Sequence, residues 1–130
     1  MADNIILLLV EDEAMILHAL EDVLTDAGFE VVTAIDGAEA IVALDNKELT
    51  LAGLITDIRI GDGINGWDVA RHARELAPSF PVVYMSGDSV ADWSAQGVPN
   101  SAILQKPFAS AQMITAISHL LNQVAKGVTN

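Results

Sequence analysis

The sequence predicts an α/β, doubly wound domain, a parallel five-stranded sheet with helices on both faces. Three observations carry this reading. Short apolar runs recur along the chain, each too brief for a helix and each bounded by turn residues. Segments with apolar residues at helical spacing lie between them, and such alternation of strand and helix is the pattern of βαβ units. The first strand run, Ile5 to Val10, is apolar throughout, as expected of a strand covered on both sides.

The elements follow in order. Ile5 to Val10 ends at Glu11-Asp12-Glu13. From Ala14 to Ala27, Ile16, Leu20, Val23, Leu24 and Ala27 recur at helical spacing, and Gly28 supplies the left-handed position that commonly ends a helix. Phe29 to Ala34 is a second strand. Asp36 caps a helix from about Ala38 to Leu44. Leu51 to Thr56 is the third strand, and it runs into Asp57. After the Asn65-Gly66 turn, Trp67, Val69, Ala70, Ala73 and Leu76 outline a third helix. Pro81 to Met85 is a fourth strand, ending at Ser86-Gly87-Asp88. Ser89 to Gly97 is a short fourth helix with little periodicity. Ala102 to Leu104 is a fifth strand, and Ser110 caps a last helix with Met113, Ile114, Ile117, Leu120, Leu121 and Val124 on its apolar face. The tail from Lys126 to Asn130 is expected to fray.

Composition bounds what such a domain does. At 130 residues the chain makes one domain, with a core from about residue 4 to 125 and no output domain. Its apolar content of 52% excludes disorder. No apolar run approaches the roughly 18–20 residues that span a bilayer. The first residues lack the basic region and cleavage site of a secretory signal. Cysteine is absent, which excludes disulfides and thiolate metal sites and fits a cytoplasmic location. A formal charge of −12 disfavours binding to nucleic acid or anionic membrane, since both demand Lys and Arg opposite phosphates.

Polar residues gather at one edge of the predicted sheet. Glu11 and Asp12 follow strand one, Asp57 ends strand three, Ser86 ends strand four and Lys106 follows strand five. Ligands of open parallel sheets bind at that edge, beyond the carboxyl ends of the strands. Carboxylates crowded there repel one another unless a cation intervenes. Oxygen ligands without His or Cys favour Mg²⁺. A carboxylate can also accept a phosphoryl group, whose transfer needs positioning and positive charge. Lys106 offers a point charge for one phosphoryl oxygen, and Ser86 a hydroxyl for another.

With these residues in place, the chain resembles a receiver domain of the bacterial two-component response regulators, over nearly all its length. The features that carry the resemblance are Glu11-Asp12, Asp57, Ser86-Gly87 and Lys106-Pro107-Phe108, in order and at strand ends. It implies a flavodoxin-like fold with strand order 2-1-3-4-5. It implies Asp57 as phosphoacceptor, Ser86 as switch hydroxyl and Lys106 as counter-charge, with a cis Lys106–Pro107 bond. Mg²⁺ would be held by Asp12, Asp57 and the backbone carbonyl of Arg59, with Glu11 acting mainly through water. The implied donor is a sensor histidine kinase or histidine phosphotransfer protein. The implied readout is protein binding through the face of helix 4, strand 5 and helix 5, or onward phosphotransfer, by a monomer or weak homodimer.

The chain departs from the family pattern in places. Ile103 stands where many receivers carry a switch aromatic, and Tyr84 is either its substitute or a core strand residue. The Asp57–Gly66 loop has Gly61 in place of a common proline and is one residue longer than usual. Arg59 and Asp88 occupy positions that tune the lifetime of the aspartyl phosphate in similar proteins.

Plainer roles stand beside these. Glu11 and Asp12 could simply favour a helix N-terminus. His18, His72 and His119 are isolated on separate helices and are read as neither ligands nor phosphoacceptors. Trp67 is expected to pack at the start of helix three, and Trp93 either in the core or as a surface contact. Met15, Leu17, Met113 and Leu120 exceed what one sheet face needs, which marks either an interaction surface or scattered surface residues. Two rival functions remain. One is a receiver-like binding module that works without phosphate. The other is a phosphohydrolase of haloacid-dehalogenase type, which needs a general acid where this chain has Arg59.

Overall fold

A computed structural model describes residues 4–125 except Asp62 and Ser89, so the frayed-tail expectation for Lys126–Asn130 lies outside the described residues. The order is β1 (Ile6–Val10), α1 (Ala14–Asp26), β2 (Glu30–Ala34), α2 (Gly37–Asp45), β3 (Leu51–Asp57) and α3 (Gly66–Leu76). Then come β4 (Val82–Ser86), a 3₁₀ turn (Val90–Asp92), α4 (Trp93–Gln96), β5 (Ala102–Gln105) and α5 (Ser110–Ala125). All strand pairs are parallel and the sheet order is β2-β1-β3-β4-β5, as the resemblance implies.

Side-chain alternation divides each strand between two cores. Leu8, Val10, Leu54, Val82 and Tyr84 face α2 and α3, where Ala40, Ala43, Val69, Ala70 and Ala73 meet them. Leu7, Leu9, Ile55, Val83 and Met85 face α1 and α5, against Leu17, Leu24, Met113, Ile117 and Leu120. Leu7 to Val10 are all fully buried, and a strand with no solvent side must be apolar at every position. Gly28 has φ +99, as its place after α1 requires, and the Asp36 side chain accepts from the Glu39 amide to cap α2.

Three expectations change. The fourth helix shrinks to a 3₁₀ turn and the four-residue α4, with no fully buried residue in either; the predicted start at Ser89 lies outside the described residues. Without an apolar face to bury, a longer helix there has little to hold it. Ser110 is the first residue of α5 rather than its cap, and the Gln112 side chain accepts from the Ala109 amide instead, at 2.7 Å. Leu17, Met113 and Leu120 are not surplus but core, buried where α1 and α5 pack on the sheet; only Met15 of the four is exposed, at 86%. Trp67 packs as expected, and Trp93 is half-buried against the α3-side core.

Candidate functional site

The site is assembled by hydrogen bonds at strand ends. The Glu11 amide donates to the Ala34 carbonyl at 3.1 Å, so the chain leaving β1 stays against β2 for one more residue. This buries Glu11, which is 1% exposed, while Asp12 beside it faces solvent. The Glu11 Oε2 accepts from the Glu13 amide at 3.1 Å, so Glu11 does serve the start of α1. Asp57 closes β3 and is 8% exposed. The Ile58 amide donates to the Met85 carbonyl, and Gly66 donates to the Ile58 carbonyl at 2.8 Å. That close approach needs glycine: a Cβ at Gly66 would lie 2.3 Å from the Asp57 carbonyl oxygen. The Lys106 amide donates to the Ser86 carbonyl at 2.8 Å, and the Lys106–Pro107 bond is cis.

Side chains then converge. The Lys106 ammonium donates to Asp57 Oδ2 at 2.9 Å and to Glu11 Oε1 at 3.0 Å. Asp57 Oδ1 accepts from the Ile58 amide at 2.8 Å. Ser86 is 2% exposed, and its Oγ accepts from the Asp88 amide. Burial pushes the Glu11 carboxyl above its ordinary value, against the opposing pull of the Glu13 amide and Lys106. Burial would lower the Lys106 ammonium, but its bonds to Asp57 and Glu11 outweigh that and hold it above the usual lysine value.

Glu11, Asp12 and Asp57 each bring a carboxylate oxygen within 4.8 Å of the others. Three carboxylates and one ammonium leave two negative charges, and every donor is a hard oxygen, so the set suits Mg²⁺. Arg59 extends into solvent and pairs with Asp88 at 3.1 Å, linking the loops that follow β3 and β4.

The remaining candidates separate. Tyr84 is fully buried: its ring lies 4.7 Å from that of Trp67, and its hydroxyl accepts from the Val98 amide at 3.0 Å. It is a core strand residue. Ile103 lies opposite it on β5 and packs on the same core. The histidines stay on separate helices, each beside a polar neighbour: His72 Nε2 lies 2.6 Å from Asp45 Oδ1, His18 Nδ1 3.8 Å from Glu21 Oε1 and His119 Nε2 3.2 Å from Gln123 Nε2. Sequence reading missed the arginines of α3. Arg74 donates to the carbonyls of Phe80, Pro99 and Asn100, and Arg71 to the carbonyl and side chain of Gln96. Their targets are mostly backbone oxygens, which carry no sequence signal.

The family model described as "Response regulator receiver domain" matches residues 7–118. The transcriptional regulatory protein PrrA of Mycobacterium tuberculosis is 30% identical over 125 residues, 95% of this chain and 52% of PrrA. The chain thus spans about half the length of the curated relatives it matches. The crystal structure of a response regulator receiver protein from Sinorhizobium medicae is 48% identical, covers 92% of this chain and 96% of its own, and superposes with a TM-score of 0.90. The receiver domain of the sensor histidine kinase PA1611 of Pseudomonas aeruginosa, solved with magnesium in its active-site cleft, shares the fold at a TM-score of 0.79. It is 18% identical and covers 92% of this chain and 99% of its own.

Proposed function

The chain belongs to the response regulator receiver domain family, and on that premise we propose that it is a phosphorylation switch with Asp57 as phosphoacceptor. Receiver domains are regulatory switches that interact with histidine kinases or phosphotransfer proteins and bind Mg²⁺ in an acidic pocket. The observation that carries the reading here is the Lys106 ammonium, 2.9 Å from Asp57 Oδ2. It supplies fixed positive charge where a phosphoryl group on that oxygen would bring negative charge.

In the proposed transfer, an Asp57 carboxylate oxygen attacks the phosphorus of a phosphohistidine on a sensor kinase or histidine phosphotransfer protein. The P–O bond forms as the P–N bond breaks, and the imidazole nitrogen leaves with the electron pair and takes a proton from solvent. Lys106 pairs with one phosphoryl oxygen, and the Ser86 hydroxyl donates to another. Asp12, Asp57 and the Arg59 backbone carbonyl would hold Mg²⁺, with Glu11 behind them through water. Bound there, the ion would offset the charge of the carboxylates and of an incoming phosphoryl group.

The product carries added negative charge, which draws Ser86 inward and alters protein binding through the α4, β5 and α5 face, or the group passes onward. Residues 1–130 would act as one receiver in the cytoplasm, as a monomer or weak homodimer, without direct contact to nucleic acid or membrane. No helix among the described residues is long and apolar enough to cross a membrane.

The test is intact-mass measurement after incubation with phosphoramidate and Mg²⁺. One added phosphoryl group is expected on the wild type and none on Asp57→Asn. An unmodified wild type, or modification that survives the substitution, overturns the reading. The four-residue α4, and Ile103 where many receivers carry a switch aromatic, favour a second reading, a binding module indifferent to phosphate. It requires equal partner affinity for wild type and Asp57→Asn and no Mg²⁺ binding.

A further inference from the structure

Helix α3 touches the Asp57 site at one end and grips the α4–β5 connection at the other. At its start, Gly66 donates to Ile58 and lies against the Asp57 carbonyl, and Trp67 packs on Tyr84. Two turns later, Arg71 and Arg74 hold residues 96–100. Arg74 donates through all its nitrogens, to Phe80, Pro99 and Asn100, and Arg71 clasps both the carbonyl and the side chain of Gln96. Asn100 adopts the left-handed conformation, with φ 56.

The same segment is tied to β4. The buried Tyr84 hydroxyl accepts from Val98, two strand positions before Ser86 and on the same face of the sheet. The Val98 carbonyl accepts from the Ser101 hydroxyl, whose oxygen accepts from the Trp93 indole, so the base of α4 hangs on the same knot. α4 itself is a single turn with no fully buried residue. Ile103, opposite Tyr84, has no polar atom with which to follow Ser86.

We infer that phosphorylation is transmitted from β4 through the Tyr84 hydroxyl to residues 96–101, and from there through Arg71 and Arg74 to the outer half of α3. This rests on Asp57 being the phosphoacceptor. The Arg74 guanidinium is directional, with the Phe80 carbonyl on one side and those of Pro99 and Asn100 on the other, so when the latter two shift it either moves with them or loses its bonds. Either event is felt on α3. A one-turn α4 has no comparable packing through which to carry the change, which makes the α3 surface a second place where the phosphorylated state is displayed.

The experiment compares ¹H–¹⁵N spectra of the full chain before and after phosphoramidate with Mg²⁺, with intact mass measured on the same samples. In the wild type, the amides of Val98 and of residues 71–76 shift. In Arg74→Lys, the added mass is unchanged and Val98 still shifts, but the α3 signals stay near their unphosphorylated positions. In Tyr84→Phe, phosphorylation is again unchanged and both sets of shifts shrink. Phosphorylated wild type with unmoved α3 amides, or α3 shifts of wild-type size in both variants, overturns the proposal. Absence of added mass overturns the Asp57 reading and this route with it, and the mass spectrum tells the two failures apart.

Discussion

Lys106 is the residue on which the site's electrostatics turn. It bridges two carboxylates, one of them 1% exposed, and removing one partner of such a group leaves the rest uncompensated. Lys106→Met is expected to lower stability by about 1–3 kcal/mol in metal-free buffer, read as a shift in the urea midpoint. Added Mg²⁺ should then raise the midpoint of the variant more than that of the wild type, because the ion replaces the lost charge. Equal Mg²⁺ responses would contradict the shared role. Tyr84 yields a pH prediction. Burial holds its hydroxyl above the ordinary value of 10.0 in the folded state, so the folded protein keeps a proton that the unfolded chain releases. Its contribution to stability is present in full below pH 10.0 and is lost as pH rises from there through the residue's own higher value. Stability should therefore fall above that point in the wild type and fall less steeply in Tyr84→Phe, measured by denaturation across the alkaline range. Asp57, Lys106 and Ser86 were visible in the sequence because a charge or hydroxyl at the end of an apolar run is conspicuous. Arg74 was not, because a helix arginine looks the same whether it faces water or three carbonyls.

Among elements, α3 shows how one backbone contact constrains a site. Its first residue is Gly66, and the space a Cβ needs is filled by the Asp57 carbonyl and the Ile58 Cα. Gly66→Ala should cost about 1–3 kcal/mol through overpacking and, because the displaced atoms include the backbone of Asp57, should also slow phosphorylation by phosphoramidate. Loss of stability with an unchanged phosphorylation rate would show that the contact only packs. The strands and the longer helices were legible because burial on two faces, or on one stripe, writes directly into the apolar pattern. α4 was not, since its short span carries no such pattern and is held by Arg71 on Gln96 and by the Trp93–Ser101 hydrogen bond. Ser110 misled for a related reason: serine suits a cap, but Gln112 reached back to do the same work.

At the scale of the whole molecule, a net charge of −12 repels itself in the compact state. Raising NaCl from low to moderate concentration, with the Mg²⁺ level fixed, is expected to raise the melting temperature, since exposed charges are screened over about 10 Å at 0.1 M salt. A lower melting temperature would show that favourable ion pairs such as Arg59–Asp88 outweigh the general repulsion. The order of strands and helices, and the set of residues at the carboxyl edge of the sheet, were determined by the sequence itself. Periodicity encodes which faces are buried, and parallel βαβ units leave one edge for chemistry. The tertiary structure alone decided that Lys106 lies between Glu11 and Asp57, that Tyr84 is locked in the core by Val98, and that α3 holds the α4–β5 connection. These contacts join residues distant along the chain through a few hydrogen bonds, and no local pattern of residue types records which partner a polar group will find.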